Sequence, residues 1–122
     1  MVRGIGIDAV EVDRFRRVIT RTPGVMRRVF TDGERAAGAR RRDPAQRLAA
    51  RFAAKEAVMK ALGVGLGAFQ FHDVEVVNAP SGKPSLVLRG KAAALARERG
   101  VRGWELSLTH TDRTAHAVAV AL

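Results

Sequence analysis

Asp8, Glu56, Lys60 and His110 are the side chains whose types and positions suit proton or phosphate chemistry in this sequence. On an extended segment, Ile5 and Ile7 share one face while Gly4, Gly6 and Asp8 share the other, which puts Asp8 at a strand end beside a face without side chains. Such a face admits another backbone or a ligand closely. Glu56 and Lys60, spaced i and i+4, fall on one face of a helix and border a ridge of alanines. Two carboxylates converging from a strand end and a mid-helix position form the sparse oxygen shell that Mg²⁺ accepts when phosphate oxygens and waters complete its octahedron. Lys60, one turn beyond Glu56, is then the natural cation for the phosphates. Each residue also has a plainer reading: Asp8 as the N-cap of the next helix, Glu56 and Lys60 as a surface ion pair, and Lys55 as a lysine snorkelling from the leucine and phenylalanine side.

His110 stands among Ser107, Thr109 and Thr111 at the end of a strand, where hydroxyls, amides and an imidazole meet an anion or simply bond a turn. His72 and His116 lack such neighbours and read as structural. No two histidines have metal-ligand spacing, and cysteine is absent, which removes thiolate ligands, disulfides and cysteine nucleophiles. Gly63-Val64-Gly65-Leu66-Gly67 follows a helix instead of opening one, so it reads as a loop and not as a P-loop.

The elements that must hold these residues are legible from caps and punctuation. A helix runs from Glu11 to Ile19, stopped by Thr22-Pro23-Gly24, and Thr31 with Glu34 fits a capping box that starts a short helix towards Arg40. Asp43 and Pro44 open the longest helix, Pro44 to Leu62, with Leu48, Phe52, Met59 and Leu62 in one stripe. Strands at His72 to Asn78 and Lys83 to Arg89 form a hairpin, and a helix follows from Lys91 to Arg99. Trp104 to Thr109 and Ala115 to Leu122 are the last strands, the second apolar enough to predict cover on both faces. Strands and helices do not alternate strictly. The expected fold is therefore α+β, one compact domain over residues 1–122 with a long central helix packed on a mainly antiparallel sheet.

A chain of 122 residues cannot place two domains around a cleft, so a loop or a neighbouring subunit must help to build any active site. The net charge of +10 favours an anionic partner, and the excess is concentrated: Arg14 to Arg51 holds 12 basic and 3 acidic residues. Only 5% of residues are aromatic, which leaves few platforms for stacking bases and weakens the rival reading of a nucleic-acid-binding module. The first residues lack the apolar run of a signal peptide, and no stretch approaches the ~18 uncharged apolar residues of a membrane span. A cytoplasmic protein without a membrane or nucleic-acid partner is expected.

GIGIDAVEVDR at Gly4 to Arg14, RFAAKEAVMKALG at Arg51 to Gly63, SGKP at Ser81 to Pro84 and WELSLTHT at Trp104 to Thr111 together resemble the holo-acyl-carrier-protein synthases, small bacterial 4′-phosphopantetheinyl transferases. The resemblance runs in order along nearly the whole chain; the lysine-glutamate block combined with the upstream Asp and the downstream histidine motif is its specific part. Thr109 stands where the family commonly has Ser, and Ala9 replaces a bulkier aliphatic residue. It implies transfer of the phosphopantetheine arm of coenzyme A to a serine of apo acyl carrier protein, in support of fatty acid biosynthesis, leaving adenosine 3′,5′-bisphosphate. It implies Asp8 and Glu56 as ligands of Mg²⁺ or Mn²⁺, with Glu56 and Lys60 catalytic. Lys55, Lys60, Thr109 and His110 are expected around the phosphates, and Ser81, Gly82, Lys83 and Pro84 near the nucleotide. Arg14, Arg17 and Arg21 resemble the basic helix that docks the acidic carrier, and the family is typically a homotrimer with sites between subunits. A related transferase serving a polyketide or peptide-synthesis carrier is the runner-up. Such chemistry needs cations on the diphosphate and a serine hydroxyl deprotonated by Glu56, by Asp8 or by a water on the metal.

Overall fold

The computed structural model describes residues 1–122. Strand β1 (Gly4–Glu11) leads directly into α1 (Val12–Arg21), followed by α2 (Gly24–Val29), α3 (Asp32–Ala39) and the long α4 (Pro44–Ala61). A hairpin of β2 (Val74–Asn78) and β3 (Pro84–Leu88), helix α5 (Gly90–Glu98), and strands β4 (Trp104–His110) and β5 (Thr114–Ala121) complete the chain. The antiparallel sheet has the order β1-β5-β4, with β2-β3 as a separate ladder. The α+β architecture with a central helix on an antiparallel sheet is as expected.

The caps behave as their chemistry dictates. The Thr31 hydroxyl accepts from the Glu34 amide while the Glu34 carboxylate accepts from the Thr31 amide, closing the capping box of α3. Asp43 accepts from the Ala45 amide, and Pro44 occupies the first turn of α4, where its missing N–H costs nothing. The short segment that ends at Phe30, given no element from the sequence, holds the helix α2; the strand expected from His72 begins at Val74 because Phe71–Asp73 forms a 3₁₀ turn.

Small residues let α4 lie close on the sheet. A Cβ at Gly4 or Gly6 would overlap the carbonyl oxygens of Ala61 and Ala57, so only glycine lets β1 approach the helix this nearly. Ala115, Ala117, Ala119 and Ala121 of β5 are at most 1% exposed and meet the alanine ridge of α4, of which Ala49, Ala53 and Ala57 are fully buried. The opposite face of the sheet is uncovered. Ile7 pairs across with Val118 and Ile5 with Val120 on that face, where Ile5 is 67% and Ile7 62% exposed. Cover on both faces of the last strand, expected from its composition, is therefore absent within one chain. The alternation of alanine and valine along β5 is the reason: the alanines fit the helix and the valines point away.

Candidate active site

The glycine contact between β1 and α4 decides what meets at its end. Asp8 is the next residue on the helix-facing side of β1 after Gly4 and Gly6, and it opposes Ala117 in mid-strand, not at a strand end. Strand pairing continues to Glu11, which is itself the N-cap position of α1 and makes no side-chain cap, so the capping role for Asp8 is excluded. Glu56 and Lys60 come down to Asp8 from α4. The Lys60 Nζ lies 3.0 Å from Asp8 Oδ1 and 3.0 Å from the Ile7 carbonyl oxygen. Asp8 and Glu56 share a cavity of about 400 Å³ with Arg14, Val18, Val25 and Phe52, so its lining is both charged and apolar.

The protein raises the cost of ionising Glu56. Burial holds the Glu56 carboxyl above its ordinary range, and the charge of Asp8 and a hydrogen bond to it add to the effect, with Lys60 opposing. A pair of carboxylates in this state has an unmet demand for positive charge. Its donors are all oxygen, the choice of a hard divalent cation, and no group of three or more His, Cys, Asp or Glu side chains gathers anywhere in the chain. A metal held by Asp8 and Glu56 would take its remaining ligands from water and a bound phosphate.

Lys55 is a correction to the sequence reading. It neither snorkels nor faces a ligand: its side chain is 0% exposed, and its ammonium donates to Glu34 Oε1 at 2.7 Å, to the Phe71 carbonyl at 3.2 Å and to the Val74 carbonyl. All three of its donors are used inside the protein. Glu34 is equally saturated, accepting also from the amides of Thr31 and Val76. Burial lowers the Lys55 pKa and the Glu34 charge opposes that shift. This pair ties α3, α4 and β2 together.

A second, basic recess lies on the other flank of α4. His110 is exposed at the end of β4 and lines it with Arg47, Arg51, Gly82 and Pro84, with Arg41 and Arg42 adjoining. Strand β5 separates β1 from β4, a gap of about 10 Å between strand axes, so one chain does not bring His110 and Asp8 into a single pocket. Gly82 turns the hairpin at a φ of 89°, a left-handed conformation suited to glycine, and Ser81 accepts from the Lys83 amide. Lys83 itself reaches Glu105 at 3.2 Å. Thr109, expected beside His110, points to the opposite face of the sheet because neighbouring strand residues alternate.

Arg47 and Arg51 are members of this recess that the sequence reading missed. Arg51 is 3% exposed, has no carboxylate partner, and its Nε and that of Arg47 lack hydrogen-bond acceptors. Burial lowers the Arg51 pKa, and neighbouring Arg47 lowers it further. A buried guanidinium beside a like charge is a place for an anion. Their i and i+4 spacing on α4 was the available signal.

On α1, Arg14, Arg17 and Arg21 are exposed and unpaired, whereas Arg16 is held by Asp13 at 2.6 Å and Asp43 at 2.7 Å. The three free arginines form a basic flank next to the acid cavity, which Arg14 lines. His72 and His116 lie outside both recesses, His116 bonded to Thr114 at 3.1 Å.

Residues 4–121 match the 4′-phosphopantetheinyl transferase superfamily. The chain is 51% identical over 120 residues to a holo-[acyl-carrier-protein] synthase of Frankia alni, covering 98% of this chain and 97% of that one. Among solved structures it is similar to the holo-[acyl-carrier-protein] synthase of Neisseria meningitidis, with a TM-score of 0.90 and 31% identity over 100% of this chain and 99% of the other. The Helicobacter pylori synthase in complex with coenzyme A is likewise similar, with a TM-score of 0.85 and 28% identity over 97% of this chain and 99% of that one.

Proposed function

The chain belongs to the 4′-phosphopantetheinyl transferase superfamily, and we propose that it transfers the 4′-phosphopantetheine group of coenzyme A to a serine of an acidic apo acyl carrier protein, in a Mg²⁺- or Mn²⁺-dependent reaction serving fatty acid biosynthesis in the cytoplasm. The observation that carries this reading is the meeting of Asp8 and Glu56 in one cavity, with the Lys60 ammonium on the Asp8 carboxylate. The serine oxygen attacks the phosphorus on the pantetheine side of the diphosphate, the bond to the bridging oxygen breaks, and adenosine 3′,5′-bisphosphate leaves. Asp8 and Glu56 would hold the metal, which supplies positive charge to the diphosphate as it takes up the negative charge of the leaving group. Lys60 adds a mobile cation at the same place. The serine hydroxyl must lose its proton on attack, and Glu56, Asp8 and a water on the metal are the bases the site offers.

The basic recess is the assigned site of the nucleotide end. Arg47, Arg51 and His110 suit a phosphate monoester, and Gly82 and Pro84 of the turn Ser81 to Pro84 stand in its wall. Lys55 and Thr109 have no part in this assignment, since one is buried and the other faces away. Arg14, Arg17 and Arg21 would meet the acidic carrier beside the acid cavity. Two features support a homotrimer with sites between subunits: the two recesses lie on opposite flanks of α4, and the sheet keeps an open apolar face. One protomer then offers its carboxylates to a ligand whose nucleotide is held by its neighbour.

The test is direct. Incubation with apo acyl carrier protein, coenzyme A and Mg²⁺ should add one phosphopantetheine to the carrier by mass spectrometry, and a chelator should stop it; an unmodified carrier that a known transferase can still load would overturn the reading.

A further inference from the structure

Lys60 stands against Asp8, one of the two acids of the cavity. Its ammonium contacts two oxygens of the same strand, the Asp8 carboxylate and the Ile7 carbonyl, each at 3.0 Å. Asp8 is only 11% exposed in its side chain, so the charge it presents is largely withdrawn from water, and Lys60 is the one cation that touches it. Glu56, a turn earlier on α4, brings a second carboxyl group to the same cavity. Lys60 is the cation at hand for this pair when no metal is bound.

The stem of that cation is free. The Lys60 side chain is 55% exposed, in contrast to the fully enclosed Lys55, and a four-carbon stem in water loses little by swinging away. Arg14, which lines the same cavity, forms no ion pair with either acid. A divalent ion approaching Asp8 Oδ1 therefore meets an ammonium already in contact with it.

Resting on the assignment of Asp8 and Glu56 as metal ligands, we infer that Lys60 is an exchangeable counter-ion: it neutralises Asp8 in the metal-free protein and is displaced when a divalent cation enters. Displacement frees the ammonium beside Asp8, where a diphosphate would arrive. Metal entry and the readiness of Lys60 for phosphate are then one event. The same residue would otherwise be tied to a carboxylate when the substrate needs it.

Competition makes a prediction opposite in sign to a supporting role. Removing a residue that merely holds Asp8 in place should weaken metal binding. Removing a competitor should strengthen it. For a half-exposed pair the gain is about two- to fivefold. Mn²⁺ titrations followed by electron paramagnetic resonance, without coenzyme A or carrier, measure this on the full chain for wild type, Lys60→Met, Asp8→Ala and Arg14→Met.

The expected result is loss of binding in Asp8→Ala, tighter binding in Lys60→Met, and a smaller gain in Arg14→Met, which removes a charge from the cavity without touching Asp8. Unchanged or weaker binding in Lys60→Met, with Asp8→Ala still defective, overturns the exchange and leaves the metal site standing. So does an equal gain in Arg14→Met, which would trace the effect to the general field. Failure of both wild type and Lys60→Met to bind, or full binding by Asp8→Ala, removes the metal site and the exchange with it. Mg²⁺ added to lysine-labelled protein gives a second readout: the Lys60 signals should move and those of Lys55 should stay.

Discussion

On one flank of α4, Lys55 sits in a closed ion pair with Glu34, where every donor and nearly every acceptor is met by the protein itself. On the other, five positions along, Lys60 reaches an acid that has a second acid beside it and a cavity in front of it. The residue types are the same, a lysine against a carboxylate. Saturation separates them: the first pair has nothing left to offer a ligand, and the second is short of positive charge. A buried pair of the first kind specifies how helices and strands meet, while an unsaturated one can bind something.

The contrast is sharpest in activity. Asp8→Ala and Glu56→Ala should each lower turnover on the carrier by at least about 10³-fold while the far-ultraviolet circular dichroism stays that of wild type. Near-normal rates in both would erase the distinction between the flanks. Stability should show the mirror image. Lys55→Met leaves Glu34 charged and buried, at a cost of about 3–5 kcal/mol in urea unfolding, whereas Lys60→Met should move stability by no more than about 1 kcal/mol. Similar losses in the two would mean that enclosure does not set the role of a lysine here.

A smaller effect is expected on the carrier side. Arg14→Glu should raise KM for the carrier about tenfold and leave KM for coenzyme A nearly unmoved, because an exposed charge acts chiefly on encounter. Equal changes in both constants would detach α1 from carrier docking. Smallest is a gain in melting temperature. Glu56 binds its proton more tightly folded than unfolded, so it lowers stability as pH rises from the ordinary carboxylate range through its raised pKa, and the deficit persists above. Glu56→Gln removes that deficit. Without metal, the variant should match wild type in acid and melt a few degrees higher at neutral pH. A variant that melts lower at neutral pH would show that Glu56 is held comfortably as an anion.

Much of the frame was legible because it is written in local chemistry. The Thr31 capping box and the Asp43-Pro44 start of α4 depend on residues within one turn, and both form as read. The meeting of Asp8 with α4 was legible for a different reason, since alternating glycines announce a close neighbour on a known side. Lys55 was not, although it occupies the stripe of Leu48, Phe52, Met59 and Leu62: only Glu34, distant in sequence, makes burial tolerable there. Nor was the open face of the sheet, because composition says that a strand is apolar without saying which element arrives to cover it. Arg51 falls between these cases, with its neighbour Arg47 visible in the spacing and its burial visible only in the fold.

Gly4 and Gly6 set the gap between strand and helix by backbone thickness alone. The separation of the two acids is consequently insulated from how tightly the hydrophobic interior is filled. Resizing Leu48 or Val58 should alter thermal tolerance and leave ion preference untouched, whereas one methyl group at Gly6 would prise α4 off β1 and part the acids, a lesion no added metal could close.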